Sequence, residues 1–256
     1  MNRSKVPNVS GQIQVNGQRL WERIETLAAI GTTRLAFTEE DRKARNLVMS
    51  MMRDAGLMPT IDPAGNILGR RDGKAAGPRI SFGSHIDTVP NGGRFDGILG
   101  CLAGIECAHT LQDAGIATSH PIEVIVFANE EGQSYTGLSG SKAIAGVLKS
   151  EELARTDANG RTFADAIRDF GGDPDRIPDA RRAKGDVLAY LELHVEQGGM
   201  LKSSKLPIGI VENIVGIVYH DVRVTGFANH AGTTPMPLRR DALVATWFAK
   251  PVTRTS

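Results

Sequence analysis

The run Ile122-Glu123-Val124-Ile125-Val126-Phe127-Ala128 is apolar almost throughout and has the length of a buried strand. A second such run, Arg79-Ile80-Ser81-Phe82, precedes it. Between them, Gly97 to Leu111 reads as a helix whose Gly100, Ala103, Gly104 and Ala108 let it approach its neighbours closely. Strand, helix and strand at this spacing make a βαβ unit with parallel strands. With 41% hydrophobic residues in a chain of 256, there is enough apolar material for a core. The expectation is an α/β fold, a mixed and mostly parallel sheet flanked by helices.

The rest of the chain fits around that unit. Leu20, Ile24 and Leu27 give the stretch Arg19–Ile30 one buried face, with Gly31 as its stop. Thr38 is placed to cap a second helix that opens on Glu39-Glu40-Asp41 and ends at Gly56. Its Leu47, Val48, Met51 and Met52 form an apolar stripe suited to core packing. Strands near Leu57–Ile61 and Asn66–Arg70 flank the turn Asp62-Pro63-Ala64-Gly65 and read as a hairpin. Short helices are expected over Ser139–Leu148 and near Phe163–Phe170, the latter in a polar stretch covering an edge or mouth of the sheet. Val187–Leu193 reads as a third buried strand.

Ligands of such sheets gather at the carboxyl ends of strands, and the titratable residues fall there. His85 and Asp87 follow the first strand, two apart and so on one face of extended chain. A carboxylate so placed takes the outer ring N–H of the histidine and raises its basicity as a ligand. Asp96 ends the glycine-rich turn after them. Glu130 and Glu131 directly follow the second strand, and two adjacent carboxylates there repel each other unless a cation lies between them. Neighbours in sequence project differently, so one can ligate while the other reaches a water activated at the site. His194 ends the third strand. His85, Asp96, Glu131 and His194 are therefore candidate ligands of a metal site. Mixed nitrogen and oxygen donors suit Zn, Mn, Co or Ni.

Charge and composition exclude other classes. Charged residues make up 23% and the net charge is +1, which favours neither nucleic acid nor an anionic membrane. No stretch approaches the ~18 continuous apolar residues of a membrane span. The N-terminus lacks the apolar segment of a signal peptide. Cys101 and Cys107, six apart on one helix, face away from each other, so neither a disulfide nor a thiolate site is expected. A reducing cytoplasm is the simplest compartment.

Three motifs carry a family resemblance: GSHIDTVPNGGRFDG over 83–97, ANEEG over 128–132 and LELHVEQG over 191–198. In this order they resemble the M20-type metallo-amidohydrolases. More narrowly, they resemble the hydantoinase/carbamoylase branch of N-carbamoyl-L-amino-acid hydrolases, allantoate amidohydrolases and β-ureidopropionase-like enzymes. GFANHAGTTPM over 226–236 is similar to the start of that family's lid domain. The resemblance covers roughly residues 15–246.

It implies a catalytic domain over 1–212 and part of an α+β lid and dimerisation domain over 213–256. It also implies two divalent ions and a linear amide or ureido substrate. His85 and His194 would hold one ion and Glu131 the other. Asp96 would bridge them, with an unusual peptide bond to Gly97. Asp87 would support His85, and Glu130 would act as general base. His230 would reach a substrate oxygen in the partner subunit of a homodimer, and Gln197 would lie beside the metals and contact substrate.

The resemblance is incomplete. Family members are longer, and their chain returns from the lid to supply a last histidine ligand. Here no histidine follows His230, and Trp247 to Ser256, with Pro251, does not resemble the lid helix. The expectation is a C-terminally truncated chain with an incomplete second metal site. Its lid would keep a strand near Tyr219–Thr225 and a helix from Leu238, too little to bury a core. A related aminoacylase or peptidase, or an inactive remnant, are the alternatives.

Overall fold

The computed structural model describes residues 13–216 and 221–248. Its contacts divide the chain into two units, one up to Gly198 and one from Gly199.

The first unit is a five-stranded sheet with helices. β1 (Met58–Ile61), β2 (Ile67–Arg71), β3 (Arg79–His85), β4 (Ile122–Phe127) and β5 (Val187–Leu191) stand in the order β1-β2-β4-β3-β5. β1 and β2 form the expected hairpin, and β2 is antiparallel to β4. β3 is parallel to β4 and to β5. The expected βαβ unit is β3, α3 (Ile98–Asp113) and β4. The pairing His85↔Phe127 brings the ends of β3 and β4 level.

α1 (Gly17–Ala28) starts where the Asn16 side chain accepts from the Arg19 N–H. α2 (Glu39–Asp54) starts at Thr38, whose hydroxyl accepts from the Asp41 N–H, with three acids in the first turn to complement the helix dipole. Ile24, Leu27, Val48 and Met52 from these helices meet Leu102 and Ile105 of α3 and Val124 and Val126 of β4 in the main core. Each such side chain, fully buried, contributes about 1.5–3 kcal/mol. Gly100 permits the approach of α3: a methyl there would lie 2.6 Å from the Leu193 carbonyl oxygen and 2.9 Å from Ser84 Cβ.

A second core lies under α4 (Ser139–Ala145) and α5 (Phe163–Asp169). Phe37 meets Phe170 edge-on at 5.2 Å, and Tyr135 stacks on Phe163 at 4.9 Å. This is the polar stretch expected to cover the sheet, and its few aromatics anchor it. Cys101 and Cys107 are free.

Two expectations need correction. β5 is not buried: Leu188 is 54% and Leu191 51% exposed. Its apolar composition matched that of β4, but β4 is paired on both edges, whereas β5 ends the sheet and pairs with β3 alone. The lid strand near Tyr219–Thr225 lies partly outside the described residues, and 221–225 are not a strand. Among its described residues the second unit instead has two short helices, α6 (Met200–Ser204) and α7 (Ala242–Phe248), with one 3-10 turn at Met236–Leu238. Its apolar side chains are exposed, Ile210 and Ile214 each at 92%. Among the described residues no helix is long and apolar enough to cross a membrane.

Candidate metal centre

His85 is the last residue of β3 and is buried. Its Nδ1 lies 2.9 Å from the Asp87 backbone carbonyl. A carbonyl oxygen only accepts, so Nδ1 carries the proton and Nε2 presents its lone pair. His194 repeats the device, with Nδ1 2.9 Å from the Val195 carbonyl. The rings lie 6.4 Å apart, tilted by 36°. One donor atom from each of His85, Asp96 and His194 falls within 4.8 Å of the others.

Asp96 faces them from the turn before α3. Its Oδ2 accepts from Gln197 Nε2 at 2.6 Å. Its Oδ1 is buried without a hydrogen-bond partner and lies 3.2 Å from His194 Nε2. Two lone pairs face each other there, an arrangement that a shared cation relieves. The donor set fits a divalent ion of the Zn, Mn, Co or Ni kind. Gly97 makes room for it: at φ 66 its hydrogen faces the His85 ring, and a Cβ would lie 2.5 Å from Nε2. Among the described residues no peptide bond is cis, so the unusual bond expected between Asp96 and Gly97 is not found; Gly97 makes the turn at φ 66, ψ −46.

Asp87 does not hold His85 as expected. Its carboxylate is 3.8 Å from Nδ1, and the ring N–H goes to its backbone carbonyl instead. The carboxylate accepts from the N–H groups of Glu131 at 3.0 Å and Glu130 at 3.3 Å, fixing the loop after β4. Burial pushes the Asp87 carboxyl up, against the pull of His85. Burial also raises Glu130 and Glu131, again opposed by His85. Glu130 Oε2 accepts from Ser141 Oγ at 3.3 Å, a contact that nothing in the sequence announced. Glu131 does not join the converging three.

Arg34 was missed altogether. It is fully buried and donates from Nε to the Ile86 carbonyl, while its backbone exchanges hydrogen bonds with Thr88. Its partners are backbone or a hydroxyl, so no charge pattern reveals it. His230 belongs to the second unit. Its Nδ1 accepts from the Gly232 and Thr233 N–H groups, and it lines a cavity of about 490 Å³ with Asn229, Arg239 and Arg240.

The α/β sheet thus gathers two histidines and an aspartate at its carboxyl edge, with paired glutamates in the neighbouring loop, a donor set that could hold a divalent ion. Residues 81–251 match Peptidase family M20/M25/M40, and the chain belongs to that family. It is 47% identical over 239 residues to an N-carbamoyl-L-amino acid amidohydrolase of Geobacillus stearothermophilus, covering 90% of this chain and 58% of the relative. A ureidoglycolate hydrolase of Arabidopsis thaliana is 34% identical, with 93% and 53% covered. The crystal structure of a hydantoinase/carbamoylase family amidase from Burkholderia ambifaria superimposes with a TM-score of 0.75 at 40% identity, over 92% of this chain and 58% of that one. The chain thus spans a little over half the length of these relatives.

Proposed function

We propose that this chain carries the metal-binding half of a hydrolase that cleaves a linear amide or ureido C–N bond, as in an N-carbamoyl-L-amino acid or allantoate. The observation that carries the reading is the pair of inward-facing Nε2 lone pairs around the orphaned Asp96 Oδ1. His85, Asp96 and His194 would hold one divalent ion, and Glu131, from the neighbouring loop, would serve a second. Such ions polarise a carbonyl and acidify water when bound. Glu130, held beside Glu131 by Asp87, takes the proton of the attacking water and returns it to the leaving nitrogen. Gln197 orients Asp96 from the side. His230 supplies a donor to the substrate oxygen across a homodimer, and the enzyme works in the cytoplasm on a small molecule.

The test is metal analysis combined with turnover of N-carbamoyl-L-amino acids and allantoate. Two ions per chain, with Glu130→Gln keeping the metal and losing at least a hundredfold in kcat, is the expected result. Retained turnover in Glu130→Gln overturns the assignment of the base. A second reading is favoured by the three-residue convergence that leaves Glu131 out: one ion per chain and no turnover, a metal-binding remnant.

A further inference from the structure

We infer that Glu192 is a positioning residue whose carboxylate ties the ends of β3 and β5 together and so sets His194 opposite His85. The inference rests on the reading of these histidines as ligands of one ion.

The backbone ladder between the two strands ends at the pair Phe82↔Leu191. Each histidine lies three residues beyond it; there β3 is still held to β4 as far as His85, but β5 has no ladder partner and is free to splay from it. A slip of one residue would move an imidazole by about 3.3 Å, enough to open the site. The connection past the ladder is made by side chains. Ser84, adjacent to His85 and buried, donates from Oγ to Glu192 Oε1 at 2.7 Å. Tyr190 donates from its hydroxyl to Glu192 Oε2 at 2.7 Å.

Both carboxylate oxygens are thus committed, one to each strand, and Glu192 sits two residues before His194. A carboxylate that accepts from two hydroxyls is held in both position and plane. From the third side, the Leu193 carbonyl packs against Gly100 of α3. Glu192 is absent from the group of converging donors, so its role is exercised through the histidine that follows. Nothing in the proposed chemistry uses it, yet it occupies the junction between the two strands that carry imidazoles.

The experiment compares Co²⁺ binding by the full chain with that of Glu192→Ala, Ser84→Ala, the double variant and Glu192→Gln, alongside urea midpoints of the metal-free proteins. A lost support to a metal ligand weakens binding about 10–100-fold. Each alanine variant should therefore lose at least tenfold in Co²⁺ affinity and shift the visible Co²⁺ absorption band. The double variant should be no worse than the poorer single, in affinity and in urea midpoint. Glu192→Gln keeps an acceptor for Ser84, and its amide can donate to the Tyr190 oxygen, so it should bind within about threefold of the unaltered chain.

Binding by Glu192→Ala within twofold overturns the inference. So does Glu192→Gln as weak as Glu192→Ala, which would make the charge rather than the tie responsible. If the unaltered chain fails to bind Co²⁺, the ion reading falls. The tie is then decided by the metal-free midpoints, where fully additive losses from Ser84→Ala and Glu192→Ala refute it.

Discussion

Asp87 accepts from two successive backbone N–H groups while its own carbonyl receives the His85 ring N–H. In Asp87→Asn one acceptor becomes an NH₂ group pointed at a backbone donor, and leaving that donor unpaired costs about 1–3 kcal/mol. We expect a lower urea midpoint and a large fall in turnover with little loss of metal, because the partner of His85 is backbone and stays in place. Loss of the metal with unchanged stability would contradict this. Asp41 offers a pH test away from the site. Burial, opposed by Arg45, pushes its carboxyl up to about 6, although it accepts from the Phe37 N–H. A raised acid pKa means that the folded state holds the proton more tightly. Its contribution is full below the unfolded value near 4 and is lost as pH rises through about 6. Asp41→Asn, which keeps an acceptor, should match the parent at pH 4 and exceed it by up to about 3 kcal/mol at pH 7. Parallel stability curves from pH 4 to 7 would rule this out. The histidines and Asp96 were legible because a titratable residue directly after an apolar run has few other uses. Gln197 as the partner of Asp96 was not, since an exposed glutamine carries no sequence signal for what it touches.

The elements were largely legible because period and punctuation agree in them. Thr38 with three following acids marks the start of α2, and the glycines and alanines of α3 mark a helix pressed against a sheet. Ends were read less well where tertiary contacts decide them. α3 begins directly after Gly97, which has φ 66 and lies where a Cβ would meet the His85 ring. Gly97→Ala tests that link between element and site. Its methyl would lie 2.5–2.6 Å from three ring atoms of His85, so the ring or the helix start must move. A positive φ with ψ −46 is a sparsely populated conformation for an alanine and adds about 1–3 kcal/mol of strain. We expect a fall in melting temperature accompanied by at least a tenfold loss of Co²⁺ affinity. A stability loss alone would show that the helix start yields and the ring does not.

For the whole molecule, sequence and structure part over what lies outside. Val187–Leu193 has the composition of an interior strand, yet Leu188, Tyr190, Leu191 and Leu193 are 43–54% exposed on a strand paired along one edge. Composition reports what a strand is built to touch and says nothing about whether that neighbour is present. An apolar edge strand is a template for pairing with another chain, and contiguous exposed apolar surface promotes association. The second unit adds Ile210, Ile214 and Trp247, each above 85% exposed. We therefore expect concentration-dependent association in sedimentation velocity. Leu188→Lys places a charge at 54% exposure near the start of β5, four residues before Glu192, and should reduce the larger species while leaving Co²⁺ affinity unchanged. If Leu188→Lys associates as strongly as its parent, the surface responsible lies in the second unit. If the parent sediments as a monomer at every concentration, the open edge of β5 is protected in solution by its own chain.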